Sequence, residues 1–214
     1  AFNELKGSIA ITEETGRDPK LHYIPYAKSK ALALQVVKEA RDNGLPVDVL
    51  FPTGILGPFD YKKGNNALYP IRQFMTTKSN KAYYFNAGYD FVDVRDVSKV
   101  TIKMLSRKAI NSEFIISGEY ISLKEIYITL KKYMKKKTKL VRVPNFLLII
   151  GIHIYYGFMK LFRKQAPITP QAFKILTSKH KPCSNKARLE LGFKPRDIRV
   201  SLIDTMKFIK AHQS

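Results

Sequence analysis

The stretch Pro25–Pro58, P-Y-A-K-S-K-A-L-A-L-Q-V-V-K-E-A-R-D-N-G-L-P-V-D-V-L-F-P-T-G-I-L-G-P, decides the fold. Pro25 suits the opening turn of a helix. Residues 26–42 are rich in helix formers, and Asn43-Gly44 ends them as a glycine C-cap does. After Pro46, V-D-V-L-F is a short apolar strand of the kind buried in parallel sheets. Helix followed by short apolar strand is one αβ unit and points to a layered α/β fold. Pro52-Thr53-Gly54 falls where the strand ends, and open α/β sheets bind ligands beyond the carboxyl ends of their strands. Gly54 and Gly57 permit close backbone approach there, while Pro52 and Pro58 fix the turn.

Tyr26 and Lys30 stand four residues apart, on one face of the expected helix. A lysine ammonium so placed favours the phenolate and can reach ribose hydroxyls. A tyrosine tuned in this way can act as a general acid toward a carbonyl oxygen. The spacing alone is weak evidence, because Tyr120/Lys124, Tyr127/Lys131, Tyr133/Lys137 and Tyr156/Lys160 repeat it. Only Tyr26 is followed by the strand and the Pro-Thr-Gly turn.

Outward from this unit, residues 1–24 read as a polar loop, 67–77 as a helix, and A-Y-Y-F as a strand. G-Y-D-F-V-D-V-R-D-V-S leads into a helix with Val97, Val100, Met104 and Leu105 turned inward. Asp93 reads as its N-cap and Asp96 as a favourable first-turn acid, rather than as paired catalytic carboxylates. E-F-I-I-S is a strand, Ser122 and Glu125 form a capping box, and L-V-R-V is a strand ending at Pro144. Residues 146–162 are the most apolar stretch, short for a bilayer span. They fit a buried or substrate-covering helix, a helix lying on a membrane surface, or a true span. Thr169-Pro170 opens another helix. N-K-A-R-L-E-L-G follows as a short helix closed by Gly192, and the last, amphipathic helix carries Leu202, Ile203, Met206, Phe208 and Ile209.

The 214 residues, 45% of them apolar, suffice for one ordinary domain or two small ones. Cys183 stands alone, which excludes an internal disulfide and fits a reducing, cytoplasmic setting. His22, His153, His180 and His212 lack zinc-ligand spacing, so no metal is expected. The first residues carry no signal-peptide pattern, and Ala1 in place of methionine reads as a truncated start or as the first ordered residue. The formal charge of +21 favours anionic partners, with its sharpest concentration at Lys131–Lys139. No nucleic-acid-binding module accompanies that run, so a solvated helix end explains it and no specific nucleic-acid partner is expected. Together with Lys160, Arg163 and Lys164, the run allows peripheral contact with a membrane surface through residues 131–164.

Y-A-K-S-K-A, V-D-V-L-F-P-T-G-I-L-G-P-F-D, Y-D-F-V-D-V-R-D-V-S and N-K-A-R-L-E-L-G-F-K-P-R occur in an order and spacing that resembles the NAD(P)-dependent epimerase/dehydratase family. These are extended short-chain dehydrogenases/reductases, and the chain looks most like their dihydroflavonol-4-reductase-like branch. The resemblance covers nearly the whole chain. It implies the C-terminal part of a Rossmann-type doubly wound parallel sheet within residues 1–110, plus a smaller, mostly helical mixed α/β substrate lobe in residues 111–214. It implies Tyr26 as proton donor or acceptor and Lys30 as its support and ribose ligand. Pro52, Thr53, Gly54 and Ile55 would pass along the nicotinamide of NAD or NADP, with NADP favoured. Leu56, Phe59, Tyr61, Tyr69 and Phe91 would border a small carbonyl or hydroxyl substrate. Residues Phe91–Asp96 would join the two lobes, and a homodimer through the Tyr/Lys helix is a further expectation.

The family's G-x-x-G-x-x-G loop would precede Ala1, as would the residue that chooses between NAD and NADP. Ser8, Thr12 and Thr15 are poor substitutes for the family's catalytic serine or threonine. A polypeptide of these residues alone is therefore expected not to transfer hydride. The leading expectation is the catalytic and substrate portion of a ketone or aldehyde reductase. A nucleotide-sugar epimerase or dehydratase, and a non-catalytic membrane-surface module, are the alternatives.

Overall fold

A computed structural model describes residues 10–16, 20, 25–61, 68–162, 170–178 and 180–212. Helix α1 (Pro25–Asp42) ends at Gly44, whose φ of 86° suits only glycine without strain. Strand β2 (Val49–Pro52) follows and pairs in parallel with β6 (Glu113–Ile116), Val49 opposite Glu113 and Pro52 opposite Ile116. The predicted αβ unit is thus present. β2 is half-buried rather than buried, because β6 is its only paired neighbour among the described residues.

Strand β3 (Gly54–Leu56) lies parallel to β5 (Gly88–Asp93), which pairs antiparallel with β7 (Glu119–Ser122). Strand β4 (Lys81–Tyr84) runs parallel to β8 (Lys139–Arg142). Residues Ala10–Ile11, within the stretch read as loop, form β1 and pair in parallel with β9 (Lys181–Pro182). Two residues carry too little pattern to signal a strand, and this one exists only through its distant partner. Residues 1–9 lie outside the described residues, Ser8 among them.

Two apolar cores hold these strands. In one, α2 (Tyr69–Thr76), α4 (Leu123–Tyr133) and α8 (Ile198–His212) close over β3, β5 and β7. Leu56, Ile71, Phe74, Ile121, Leu130, Leu202 and Met206 meet there. In the other, α3 (Val94–Leu105) and α7 (Asn185–Leu191) pack on β6 through Val100, Phe114, Ile116, Ala187 and Leu191. Both cores draw residues from each side of residue 110.

Local chemistry explains the helix ends. Asp93 caps α3 by accepting from the Arg95 amide at 2.8 Å. Ser122 and Glu125 form the reciprocal capping box of α4, as their spacing predicts. Gly192 ends α7 at φ 58°. Lys136, from the lysine run, is no solvated charge. Its Nζ donates to the carbonyls of Phe74, Met75 and Thr77 at 2.9–3.1 Å and so closes the C-terminus of α2.

Two apolar expectations need correcting. Leu105 is 81% exposed, because it lies five residues past Val100 and turns away from the Val97–Val100–Met104 face. Helix α5 (Asn145–Leu161) is not buried: none of its residues is, and α6 (Pro170–Thr177) is the helix it packs against. Among the described residues no helix is long and apolar enough to cross a membrane. Thr169, expected to cap α6, lies outside the described residues.

Candidate active site

Six residues of α1, namely Tyr26, Ala27, Lys30, Ala33, Leu34 and Val37, line one wall of a cleft of about 720 Å³. Their spacing of three and four along the helix puts them on a single face. The opposite wall is β2 and the turn after it, from Val49 through Pro52, Thr53 and Gly54 to Ile55. Every residue expected to meet the cofactor therefore borders this one space. Tyr89, Asp90 and Tyr120 close the floor, and Ser178, His180 and Pro182 complete the rim. The walls are chiefly aliphatic and aromatic, with a few polar groups, the usual make-up of a small-molecule site.

Tyr26 is 71% exposed, so its phenol opens directly to the cleft and to water. Lys30 Nζ stands 5.6 Å from the Tyr26 ring centroid, over its face. The turn between β2 and β3 is fixed by the Thr53 amide, which donates to the Ile116 carbonyl at 3.1 Å. Gly54 is required by packing: a Cβ there would come within 2.7 Å of the Phe91 ring. Gly57 is required by its backbone, at φ 145°.

Asp90 is the residue that sequence reasoning missed. It is buried on β5 at the cleft floor, accepting from Ser117 Oγ at 3.0 Å. Burial raises its pKa above the ordinary carboxylate value, outweighing the hydroxyls of Thr53 and Ser117 and the Gly118 amide. Thr53 Oγ1 is buried nearby without a hydrogen bond of full geometry. In the sequence, Asp90 stands three residues before the N-cap Asp93, among ordinary capping acids, and only the pairing of β5 turns it toward the cleft.

Tyr120 is a second phenol in the cleft. Burial first, and the Glu125 carboxylate second, push its pKa up, the wrong direction for proton transfer near neutrality. Tyr127 is buried and pushed up to about 12 by burial and by Tyr69, with its hydroxyl donating to Gln73 Oε1 at 3.2 Å.

The residues expected to border substrate are placed elsewhere. Leu56 and Phe91 belong to the larger core. Phe59, in a left-handed backbone conformation at φ 73°, packs on Phe208, as does Tyr61, with ring centroids 5.7 and 5.0 Å away. Tyr69 is exposed on α2. None of these five lines the cleft. Asp93 and Asp96 serve structure, as expected. Asp93 accepts from Arg95, which also reaches Asp204 at 2.9 Å, and Asp96 holds Arg196 at 2.7 Å. These bonds tie α3 to α8 and to the strand of chain before it. No group of three or more metal-ligating side chains occurs among the described residues.

Comparison with known proteins agrees with this layout. The chain is 22% identical over 189 residues to sterol demethylase protein B of Methylococcus capsulatus (strain Bath), an alignment covering 86% of the chain and 56% of that protein. It thus spans about half the length of the curated relative it matches. The solved structure of gox2253 superposes with a TM-score of 0.79 at 22% identity, over 100% of this chain and 65% of that one. UDP-glucuronic acid 4-epimerase from Bacillus cereus, solved in complex with NAD, superposes at 0.68 and 16% identity, over 100% and 61%. The fold is mixed α/β with parallel strand pairs and matches part of these Rossmann-type structures. Residues 4–116, which contain the Tyr/Lys helix, β2, β3 and the Pro-Thr-Gly turn between them, match the NAD dependent epimerase/dehydratase family, and the chain belongs to that family.

Proposed function

We propose that this chain is the catalytic and substrate-binding portion of an NAD(P)-dependent oxidoreductase that reduces a ketone or aldehyde, or oxidises the corresponding alcohol. The observation that carries the reading is the single cleft bordered by Tyr26, Lys30 and Pro52–Ile55. Its volume and apolar walls suit a nicotinamide nucleoside with a small substrate beside it. Lys30 and Tyr26 would hold the ribose, and the Thr53–Ile55 backbone would run along the carboxamide. The cofactor, when bound, supplies or accepts the hydride.

The chain's own residues handle the proton. Tyr26 Oη donates to the substrate oxygen as charge builds on it, and takes the proton back in the reverse direction. The Lys30 ammonium lies over the Tyr26 ring on the same helix face, 5.6 Å from its centroid. Leu34, Val37, Val49 and Phe51 give the cleft apolar walls. The same walls favour an apolar substrate. The name of the curated relative, a sterol demethylase protein, supports a sterol-like class.

The whole enzyme of which this chain is a portion, incubated with NADH or NADPH and a panel of alicyclic ketones, is expected to consume the reduced cofactor, read as loss of its absorbance. No oxidation with any carbonyl compound on the panel contradicts the reductase reading. A second reading, a nucleotide-sugar epimerase or dehydratase, is favoured by the family description and by the +21 charge, which suits a diphosphate substrate. It predicts conversion of a nucleotide sugar with no net change in cofactor absorbance.

A further inference from the structure

Helix α5 is apolar on the side where a surface helix is ordinarily polar. Its partly buried residues, Asn145, Leu148, Ile152 and Met159, follow one stripe facing the body of the protein. On the opposite face Phe146, Ile150, Ile154 and Leu161 form a single row, each more than half exposed, flanked by Leu147 and Phe158, also more than half exposed. Lys160 and His153 stand to one side of this row, on the flank. The outward face is therefore a continuous apolar strip along a 17-residue helix.

The charge around it is one-sided. No aspartate or glutamate occurs between Glu125 and Glu190, a stretch holding more than a third of the chain's 38 lysines and arginines. Lys132, Lys135, Lys137, Lys139 and Arg142 are exposed on the segment that leads into α5, and Lys160 is exposed at its far end. An apolar strip with cations at both ends and no anion near it in sequence matches a surface that is apolar inside and anionic at its rim. At about 1.5 Å per residue the helix is about 25 Å long, shorter than the ~30 Å hydrocarbon layer, so it suits lying in the interface rather than crossing it.

We infer that α5 is a monotopic membrane anchor, seated in the interface of a bilayer containing anionic lipid with Phe146, Ile150, Ile154 and Leu161 among the acyl chains. The inference stands on the strip and its charge, and is independent of the reaction assigned to the cleft. α5 rests on α6, and the residues just after α6, Ser178 and His180, are on the cleft rim. A bilayer under α5 therefore puts the rim of the cleft near the source of an apolar substrate.

The chain contains no tryptophan, which gives a clean test. Ile154→Trp puts one fluorophore in the strip, and Leu189→Trp puts one on α7, at an exposed position outside it. With phosphatidylglycerol/phosphatidylcholine vesicles at low salt, the Ile154→Trp emission should shift to the blue and be quenched by brominated acyl chains. The Leu189→Trp emission should not change, and phosphatidylcholine vesicles alone should give a much smaller response. Ile150→Asp with Ile154→Asp, at exposed positions that folding does not need, should weaken vesicle co-sedimentation at least about tenfold with the circular-dichroism spectrum unchanged. No spectral shift with anionic vesicles at low salt overturns the proposal. So does an equal shift at both tryptophans. A blue shift without lipid that grows with protein concentration also overturns it, in favour of a second copy of the chain as the occupant.

Discussion

At the scale of single residues, Asp90 and Gly54 show how burial assigns roles. Asp90 is a carboxyl whose folded pKa is raised by burial, so between the unfolded and folded values the folded state binds more protons. Its contribution to stability therefore falls as pH rises through that interval. Asp90→Asn keeps an acceptor for Ser117 Oγ and removes the buried charge. The variant is expected to melt higher than the parent at pH 7, with the difference disappearing in acid below the ordinary carboxylate range. A lower melting temperature at pH 7 would give Asp90 a stabilising charge and contradict the account. Gly54→Ala forces a Cβ to 2.7 Å from the Phe91 ring. Overpacking of that kind costs about 1–3 kcal/mol, measurable by urea unfolding, and should also disturb the turn that Thr53 and Ile55 share. An unchanged unfolding midpoint would mean that the turn yields without cost.

At the scale of elements, the ties from α3 to α8 and to the segment just before it dominate. The Asp96 side chain accepts three hydrogen bonds from the Arg196 side chain, and a fourth from its amide. Asp96→Ala leaves the Arg196 guanidinium with only the more distant Asp93 carboxylate, at 3.7 Å, and is expected to cost about 1.5–3 kcal/mol, against about 1 kcal/mol for removing the α4 cap with Ser122→Ala. Equal losses in the two variants would contradict this ranking. Burial tends to raise the pKa of Asp93, but Arg95, with Ser201 helping, holds it below the ordinary carboxylate value. Asp48 is lowered likewise by the Ser112 and Ile110 amides and by Arg107. The stability these two carboxylates contribute is present above the ordinary carboxylate range and lost as pH falls through their folded values.

Elements with strong local chemistry were legible in the sequence. The α1–β2 unit had a proline start, a glycine stop and an apolar strand. α3, α4 and α7 had their caps. What was not legible depended on distant partners. β1 exists through β9, the face of Leu105 was misjudged by one helical position, and α5 gave composition without saying what covers it. The residues of α1 and of the turn after β2 that border the cleft were readable because they lie in one continuous segment. Phe59 and Tyr61, expected beside the substrate, lie outside the cleft, edge-on to Phe208 of α8 and mostly exposed.

At the scale of the whole molecule, one cleft joins the Tyr/Lys face of α1 to the Pro-Thr-Gly turn, and the basic, acid-free stretch carrying α5 lies on the side of α6. The central claim is that Tyr26 is the phenol that moves the proton. The cleft itself offers the control, since Tyr120 also lines it and is also followed by a lysine four residues later. The decisive measurement is kcat of the intact polypeptide with its reduced cofactor for Tyr26→Phe and Tyr120→Phe, alongside cofactor affinity. Tyr26→Phe should lose turnover by at least about a hundredfold with cofactor affinity nearly intact, while Tyr120→Phe stays close to the parent. Retained turnover in Tyr26→Phe, or its loss in Tyr120→Phe alone, would contradict the assignment.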